Sequence, residues 1–142
     1  MTRLTRRYPF SASHRLHSDK LSAEENAELF GKCNNPHGHG HNYVLEVSVE
    51  GPVDATSGML LPRPRLDRFV RDAVLAKIDH TYLNTDVAEF AGDAVPTTEN
   101  LSLAIDQWLR RGWQTEFGEF GCRLARVRIE ETARNSFIVT DD

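Results

Sequence analysis

The feature that most constrains the fold is a stretch of alternating apolar and mostly polar side chains over residues 43–50. Its apolar members share one face of an extended chain: Tyr43, Leu45, Val47 and Val49. A period of two is typical of a strand that is buried on one face, so the chain must form a sheet packed against a core. Turn-forming residues follow at 51–58, and residues 59–61 are predicted to form a short returning strand.

Further strands are predicted near both ends of the chain. The first covers residues 4–10, where Pro9 indicates an edge or a bend, because proline cannot donate a ladder hydrogen bond. Residues 123–129 and 136–139 flank a polar turn and predict a terminal hairpin.

Helical patterns occupy the middle of the chain. Two core-facing stripes have the spacing of a helix: Leu66, Phe69, Val70, Ala73 and Val74 in the first, and Leu101, Ala104, Ile105, Trp108 and Leu109 in the second. Pro96 and Thr97 mark the start of the second stripe. A shorter helix is predicted from Ser22, which forms a capping-box pattern with Glu25, to Gly31.

Strands near both ends with helices between them predict an α+β fold with an antiparallel sheet of about four strands. No repeat or linker divides the chain, so residues 1–142 are interpreted as a single domain. Two helices can cover only one face of the sheet. We therefore expect a homo-oligomer, in which other copies cover the second face.

Composition excludes several function classes. Seventeen Lys and Arg against 21 Asp and Glu give a net charge of −4, so no nucleic-acid partner is expected. The sequence contains neither a signal-peptide pattern nor an apolar run long enough for a membrane span. Only two cysteines are present, which favours a reduced, cytoplasmic protein. Without a long apolar run, no membrane partner is expected.

Five of the six histidines lie between His14 and His41. His39 and His41 immediately precede the predicted strand, and residues two apart in an extended chain point the same way. Two imidazoles arranged in this way can share a metal ion, and Zn²⁺ with three protein ligands keeps a position open for substrate. We predict His14 as the third ligand, with His17 and His37 as competitors.

Cys33 lies six residues before His39. It is either a fourth ligand, which would make a zinc site structural, or a free thiolate that nearby positive charge activates as a base or nucleophile. The other cysteine, Cys122, is interpreted as a small buried side chain.

Asp79 and His80 are adjacent near the end of the first long helical pattern. They form either a pair in which the carboxylate fixes the imidazole tautomer, or a helix end with an exposed histidine. A pair requires a loop conformation, because adjacent residues do not face each other on a helix. From the residues alone, Glu99 is interpreted as a first-turn helix stabiliser and Glu130 as a surface residue.

Several segments together resemble one family, the 6-pyruvoyl-tetrahydropterin synthases, from about residue 8 to residue 139. They are Phe-Ser-Ala-Ser-His-Arg-Leu at 10–16, Lys-Cys-Asn-Asn-Pro-His-Gly-His-Gly-His-Asn-Tyr at 32–43, Asp-His at 79–80, Pro-Thr-Thr-Glu-Asn at 96–100, and Glu-Thr at 131–132. The combination of Cys-x5-His-x-His with the upstream Ser-His-Arg-Leu is specific to this resemblance.

The resemblance implies a tunnelling fold (T-fold), which has a four-stranded antiparallel sheet with two main helices on one face. Its members assemble into trimers and then hexamers, with active sites between subunits. It implies roles for nine residues: His14, His39 and His41 as Zn²⁺ ligands, Cys33, Asp79 and His80 as catalytic residues, and Thr98, Glu99 and Glu131 as pterin-binding residues. The role implied for Glu99 replaces its interpretation as a helix stabiliser alone.

The activity that the resemblance implies is that of a carbon-oxygen lyase, which eliminates triphosphate from 7,8-dihydroneopterin triphosphate to give 6-pyruvoyl-tetrahydropterin. One alternative is a 6-carboxy-5,6,7,8-tetrahydropterin synthase of the queuosine pathway, a carbon-carbon lyase that also releases acetaldehyde. Its members usually have Cys-x3-His-x-His, so the spacing here favours the pyruvoyl type. Two further alternatives are a cupin-type metal oxygenase, whose motifs His39-x-His41-x4-Glu46 and His80-x3-Asn84 imitate in part, and a non-catalytic zinc-binding module.

One stretch departs from the family pattern. The family usually has an acidic or amide residue and an Asp after Gly-Met, where this chain has Leu-Leu-Pro-Arg-Pro-Arg at residues 60–65. The departure puts in question the start of the following helix and any subunit contact made there.

Overall fold

The structure is a computed structural model, and it describes residues 1–140. Within these residues, five strands form one mixed sheet in the order β3-β1-β2-β4-β5. Their bounds are β1 Thr2–His14, β2 His39–Gly51, β3 Thr81–Tyr82, β4 Arg123–Glu130 and β5 Ser136–Val139. The strands pair antiparallel, except that β3 runs parallel to β1. The expected four-stranded antiparallel sheet is thus corrected to five strands with one parallel pair.

In the described part of the chain, five α-helices connect the strands: α1 Ala23–Phe30, α2 Arg63–Val70, α3 Ala76–Ile78, α4 Leu83–Asp86 and α5 Thr98–Phe117. A π-helical turn, Arg71–Leu75, joins α2 to α3. Two caps predicted from sequence are present. Ser22 and Glu25 form the capping box of α1, and the Thr97 hydroxyl accepts a hydrogen bond from the Asn100 amide at the start of α5. In residues 1–140, no helix combines the length and the apolarity that crossing a membrane requires.

The predicted alternation places the core on one face of the sheet. Tyr43, Leu45, Val47 and Val49 are all buried, and they pack into one cluster with the apolar stripes of α2 and α5. The opposite face is polar. There the buried Glu46 carboxylate pairs with three arginines, Arg7, Arg126 and Arg128.

The returning strand predicted at residues 59–61 is wrong. The segment belongs to a compact loop, in which the Asp54 carboxylate accepts hydrogen bonds from the amides of Thr56 and Ser57. Leu60 and Leu61 are apolar because they are buried in the core, and not because they pair in the sheet.

The departure from the family pattern at residues 60–65 leaves the following helix intact, since α2 begins at Arg63. Arg65 ties this helix to the end of α5. Its guanidinium donates to the Glu116 carboxylate (3.0 Å) and the Glu119 carboxylate (2.8 Å), and it lies over the ring of Phe117.

Pro9 lies in a part of β1 that has a neighbouring strand on one side only, because β3 pairs with Ala12 and Ser13 alone. This position agrees with the edge predicted from its sequence. Further along the same strand, β1 ends at His14, which lies opposite His39 at the start of β2. The histidine-rich segments therefore meet at one end of the sheet.

Candidate functional site

Three histidine rings lie together where β1 and β2 meet. The ring centroids of His14 and His41 are 5.0 Å apart, and those of His39 and His41 are 4.7 Å apart. The β1–β2 register brings His14 to this position by pairing it with His39. His17 and His37 take no part in these ring contacts. The His17 ring lies instead 3.1 Å from the Asp19 carboxylate.

The ligand atoms of His14, Cys33 and His41 lie within 4.8 Å of one another. His39 falls outside this tightest group, although its ring contacts that of His41. The group that the structure brings within 4.8 Å therefore contains Cys33, and it does not contain His39, which the resemblance implies as a ligand.

The state of the ring nitrogens fits a metal site. Nδ1 of His14 lies 2.9 Å from the Pro96 carbonyl oxygen, so this nitrogen donates and Nε2 keeps its lone pair. Nε2 of His14 and Nε2 of His41 are both buried, and neither has a hydrogen-bond partner in residues 1–140. Burial lowers the pKa of both histidines, which favours the neutral form that binds Zn²⁺.

Cys33 lies in the 3₁₀ turn Gly31–Asn34 that follows α1, and its side chain is half-buried. Burial raises the pKa of the thiol, and the nearby Glu131 carboxylate raises it further. The expected activation by nearby positive charge is therefore not provided by the protein groups of residues 1–140. A cation bound at the neighbouring histidines would supply such charge.

Thr98 and Glu131 contact each other beside the histidines. The buried Thr98 side chain, in the first turn of α5, donates from its hydroxyl to the Glu131 carboxylate. The charge of Glu131 raises the pKa of His14, His41 and Cys33, although burial outweighs that effect in the two histidines. Glu99 is solvent-exposed, and no side-chain contact brings it to Glu131 in the described residues.

Asp79 and His80 form the predicted pair outside a helix, with 3.1 Å between the Asp79 carboxylate and Nδ1 of His80. His80 has a positive φ of 60°. Backbone hydrogen bonds to Ser11 hold the turn, because the Ser11 amide donates to Asp79 and the His80 amide donates to the Ser11 carbonyl. His80 is exposed and Asp79 is half-buried, and in residues 1–140 no hydrogen bond or ion pair joins either of them to Cys33.

Sequence reasoning missed two asparagines, Asn34 and Asn84. Their side-chain amides bind the backbone of Arg15 and Leu16, directly after His14. Asn34 ends the 3₁₀ turn that holds Cys33, and Asn84 lies in α4, shortly after the Asp-His pair. Proximity to these residues is their only sequence signal, because an amide that binds backbone creates no periodic pattern.

The chain is similar in sequence to known proteins. The sequence model of the family described as 6-pyruvoyl tetrahydropterin synthase matches residues 3–142. A 6-pyruvoyl tetrahydrobiopterin synthase of Homo sapiens is 50% identical over 132 residues, which cover 93% of this chain and 86% of that protein. A putative 6-carboxy-5,6,7,8-tetrahydropterin synthase of Archaeoglobus fulgidus is 34% identical over 114 residues, covering 80% of this chain and 84% of that protein.

The fold agrees as well. The solved structure of the Caenorhabditis elegans 6-pyruvoyl tetrahydropterin synthase superposes with a TM-score of 0.86 at 41% identity, covering 99% of this chain and 96% of that one. The predicted T-fold is thereby confirmed. The chain belongs to the 6-pyruvoyl tetrahydropterin synthase family.

Proposed function

We propose that the chain is a zinc-dependent carbon-oxygen lyase, which eliminates triphosphate from 7,8-dihydroneopterin triphosphate to give 6-pyruvoyl-tetrahydropterin. The observation that carries the proposal is the grouping of Cys33 with His14 and His41, whose Nε2 atoms are buried without partners. A thiol next to two free imidazole nitrogens suits proton removal beside a metal ion. The name of the human relative supports the same reaction.

His14, His39 and His41 are the proposed zinc ligands, and the Pro96 carbonyl oxygen fixes the ring orientation of His14. When bound, Zn²⁺ supplies Lewis acidity toward the hydroxyl groups of the substrate side chain. We assign His39 as the third ligand because its ring already contacts that of His41.

Cys33, as a thiolate, takes the proton from the substrate side chain. Its half-buried side chain lies beside His14 and His41, so the thiolate stands next to the proposed metal ligands. His80 then carries the proton, and Asp79 holds the imidazole through its contact with Nδ1.

Glu131 accepts hydrogen bonds from the pterin amino group and ring N–H. A carboxylate suits this edge because it can accept two parallel hydrogen bonds. The Thr98 hydroxyl fixes one oxygen of Glu131 and so orients the other. Glu99, which is exposed next to Thr98, assists at the open side of the pterin site.

The proposed assembly is a hexamer built as a dimer of trimers, in the cytoplasm. It would solve a geometric problem, because within one chain the Asp79–His80 pair contacts β1 at Ser11 and not Cys33. A second copy would therefore supply this pair to the thiol. The polar face of the sheet, with Glu46 and its arginines, is left uncovered by the helices and would be covered in the same assembly.

Incubation of the zinc-loaded protein with 7,8-dihydroneopterin triphosphate tests the proposal. We expect release of triphosphate with formation of the 6-pyruvoyl product. Release of acetaldehyde would instead show the 6-carboxy-type activity, which the Archaeoglobus relative favours and the Cys-x5-His-x-His spacing does not. Absence of any turnover would contradict both enzyme assignments.

A further inference from the structure

The short segment that follows β1 is held on both sides by hydrogen bonds, to α4 on one side and to the 3₁₀ turn that contains Cys33 on the other. On one side, the Asn84 side chain accepts from the Arg15 amide (2.8 Å) and donates to the Arg15 carbonyl (2.8 Å). On the other side, the Leu16 amide donates to the Cys33 carbonyl (2.7 Å), and the Asn34 side chain donates to the Leu16 carbonyl (2.8 Å). The amides of Asn34 and Asn84 therefore clamp the chain between them.

The clamp continues the pairing of β1. Ser11 directs its backbone groups to Asp79 and His80, and Arg15 directs its own to Asn84 in α4, which follows β3. In an extended chain, neighbouring residues direct their backbone groups to opposite edges, so Leu16 meets the Cys33 turn. The Arg15 side chain adds a contact by donating to the Asn34 carbonyl (3.2 Å).

We propose that Asn34 and Asn84 are positioning residues, which fix Cys33 Sγ against the ring nitrogens of His14 and His41. His14 directly precedes the clamped segment, and the carbonyl of Cys33 is itself one of the bound groups. Loss of either amide frees the thiol to shift relative to the histidines. As far as turnover is concerned, the inference rests on the proposed function.

The chain offers a matched control in Asn26. Its buried side chain accepts from the Ser18 amide (2.8 Å) and donates to the Ser18 carbonyl (3.0 Å). It therefore holds the segment just after Leu16 through the same two kinds of hydrogen bond that Asn84 makes to Arg15. It makes no hydrogen bond to Arg15, Leu16 or Cys33. Substituting Asn26 therefore removes side-chain hydrogen bonds to the backbone of this segment and leaves those around Cys33 in place.

The experiment compares Asn34→Ala, Asn84→Ala and Asn26→Ala as zinc-loaded proteins. The rate of Cys33 alkylation by iodoacetamide is followed by peptide mass spectrometry, which separates Cys33 from Cys122. Bound zinc, kcat and KM are measured on the same samples. Asn84→Asp is the second variant should Asn84→Ala fail to fold, because aspartate keeps the acceptor for Arg15 and lacks the amide donor.

We expect Cys33 alkylation to be about fivefold faster in the Asn34 and Asn84 variants, with kcat lowered about 10- to 100-fold and KM nearly unchanged, because misplacement of a reacting group lowers the rate more than binding. Asn26→Ala should keep the Cys33 alkylation rate and kcat while lowering the thermal midpoint.

Two results would overturn the inference. One is an unchanged alkylation rate in both the Asn34 and Asn84 variants. The other is an equal change in Asn26→Ala, which would mean general loosening of the loop. Failure of the proposed function is distinguishable, because the unaltered chain would then lack turnover while the alkylation rates still report on the clamp.

Discussion

Two clusters of rings in this chain are built on opposite principles. Between α2 and α5, the rings of Phe69, Trp113 and Phe117 pack with centroids 4.6 to 5.9 Å apart, and the Trp113 indole donates to the Cys122 carbonyl. At the end of β1, the rings of His14 and His41 also touch, but their Nε2 atoms are buried without partners.

The difference separates stability from chemistry. A buried polar atom without a partner costs roughly 1 to 3 kcal/mol, and the aromatic cluster avoids that cost while the histidine cluster carries it twice. Binding of an ion would recover it. Changes in the aromatic cluster should therefore lower stability and leave zinc bound, whereas changes around the histidines should lower activity more than stability.

The largest effect is expected for Cys33→Ala. Turnover of dihydroneopterin triphosphate should fall by a factor of about 10³, in the range for loss of a general base. The zinc content, measured by mass spectrometry of the metal, should stay at the level of the unaltered protein, because the proposed ligands remain. Cys122→Ala is the control for loss of a thiol, and it should keep turnover. Loss of zinc from Cys33→Ala would instead make Cys33 a ligand and favour a non-catalytic zinc module.

Next in size is Phe117→Ala in the aromatic cluster. Phe117 is fully buried and contacts both Phe69 and Trp113, so truncation should lower the free energy of unfolding by about 3 to 5 kcal/mol. Denaturant unfolding measures this loss. Leu103→Ala is the control on the same helix, because Leu103 is 53% exposed and should cost less than about 0.5 kcal/mol. Loss of zinc from a folded Phe117→Ala protein would show that the aromatic cluster also affects zinc binding, contrary to the separate roles expected for the two clusters.

The elements that sequence predicted well are those whose signal is local. The alternation in β2, the stripes of α2 and α5, and the capping box at Ser22 each depend on residues a few positions apart, and each is present in the structure. The two-residue strand β3 has no such signal, because it exists only through pairing with β1 at Ala12 and Ser13. The apolar residues 59–61 wrongly predicted a strand, because a buried loop segment and a short buried strand have the same apolar composition.

For the site, the i, i+2 spacing of His39 and His41 correctly predicted two rings side by side. The approach of His14 required the strand register, and the proximity of Cys33 required the clamp at Leu16, which no spacing in the sequence encodes. Likewise, the loop conformation that the Asp79–His80 pair needs was predicted, but its position beside Ser11 depends on the β1–β3 edge.

A smaller effect is expected for Thr98→Val, which removes the hydroxyl that binds Glu131 and keeps the side-chain shape. Glu131 would lose its fixed orientation, so KM for dihydroneopterin triphosphate should rise about tenfold, equivalent to one hydrogen bond to a charged group. Steady-state kinetics measure the change, and zinc content should not alter. Thr98→Ser keeps the hydroxyl and should stay within about threefold of the unaltered KM. Equal KM values for the Val and Ser variants would remove Thr98 from the pterin site.

The smallest effect concerns pH and the carboxylate of Asp67, which ties α2 to β1 away from the histidines. Partial burial would by itself raise the pKa of Asp67, but hydrogen bonds from Arg6 and Tyr8 outweigh burial, and the pKa is lowered. The folded pKa thus lies below the unfolded value of about 3.9, so the contribution to stability is complete above that pH and is lost as the pH falls through the folded pKa.

Asp67→Asn should therefore lower the free energy of unfolding by less than about 1 kcal/mol at pH 6, since the ion pair is partly exposed and screened. The difference between the variant and the unaltered chain should shrink as the pH falls from about 4 through the lower folded pKa, where the native carboxylate becomes protonated. Denaturant unfolding of both metal-free proteins between pH 3 and pH 6 measures it. A difference that grows toward acid pH would mean that the fold destabilises the ionised carboxylate of Asp67. The helical side of the sheet would then also hold a polar group at a cost in stability, as the histidine cluster does.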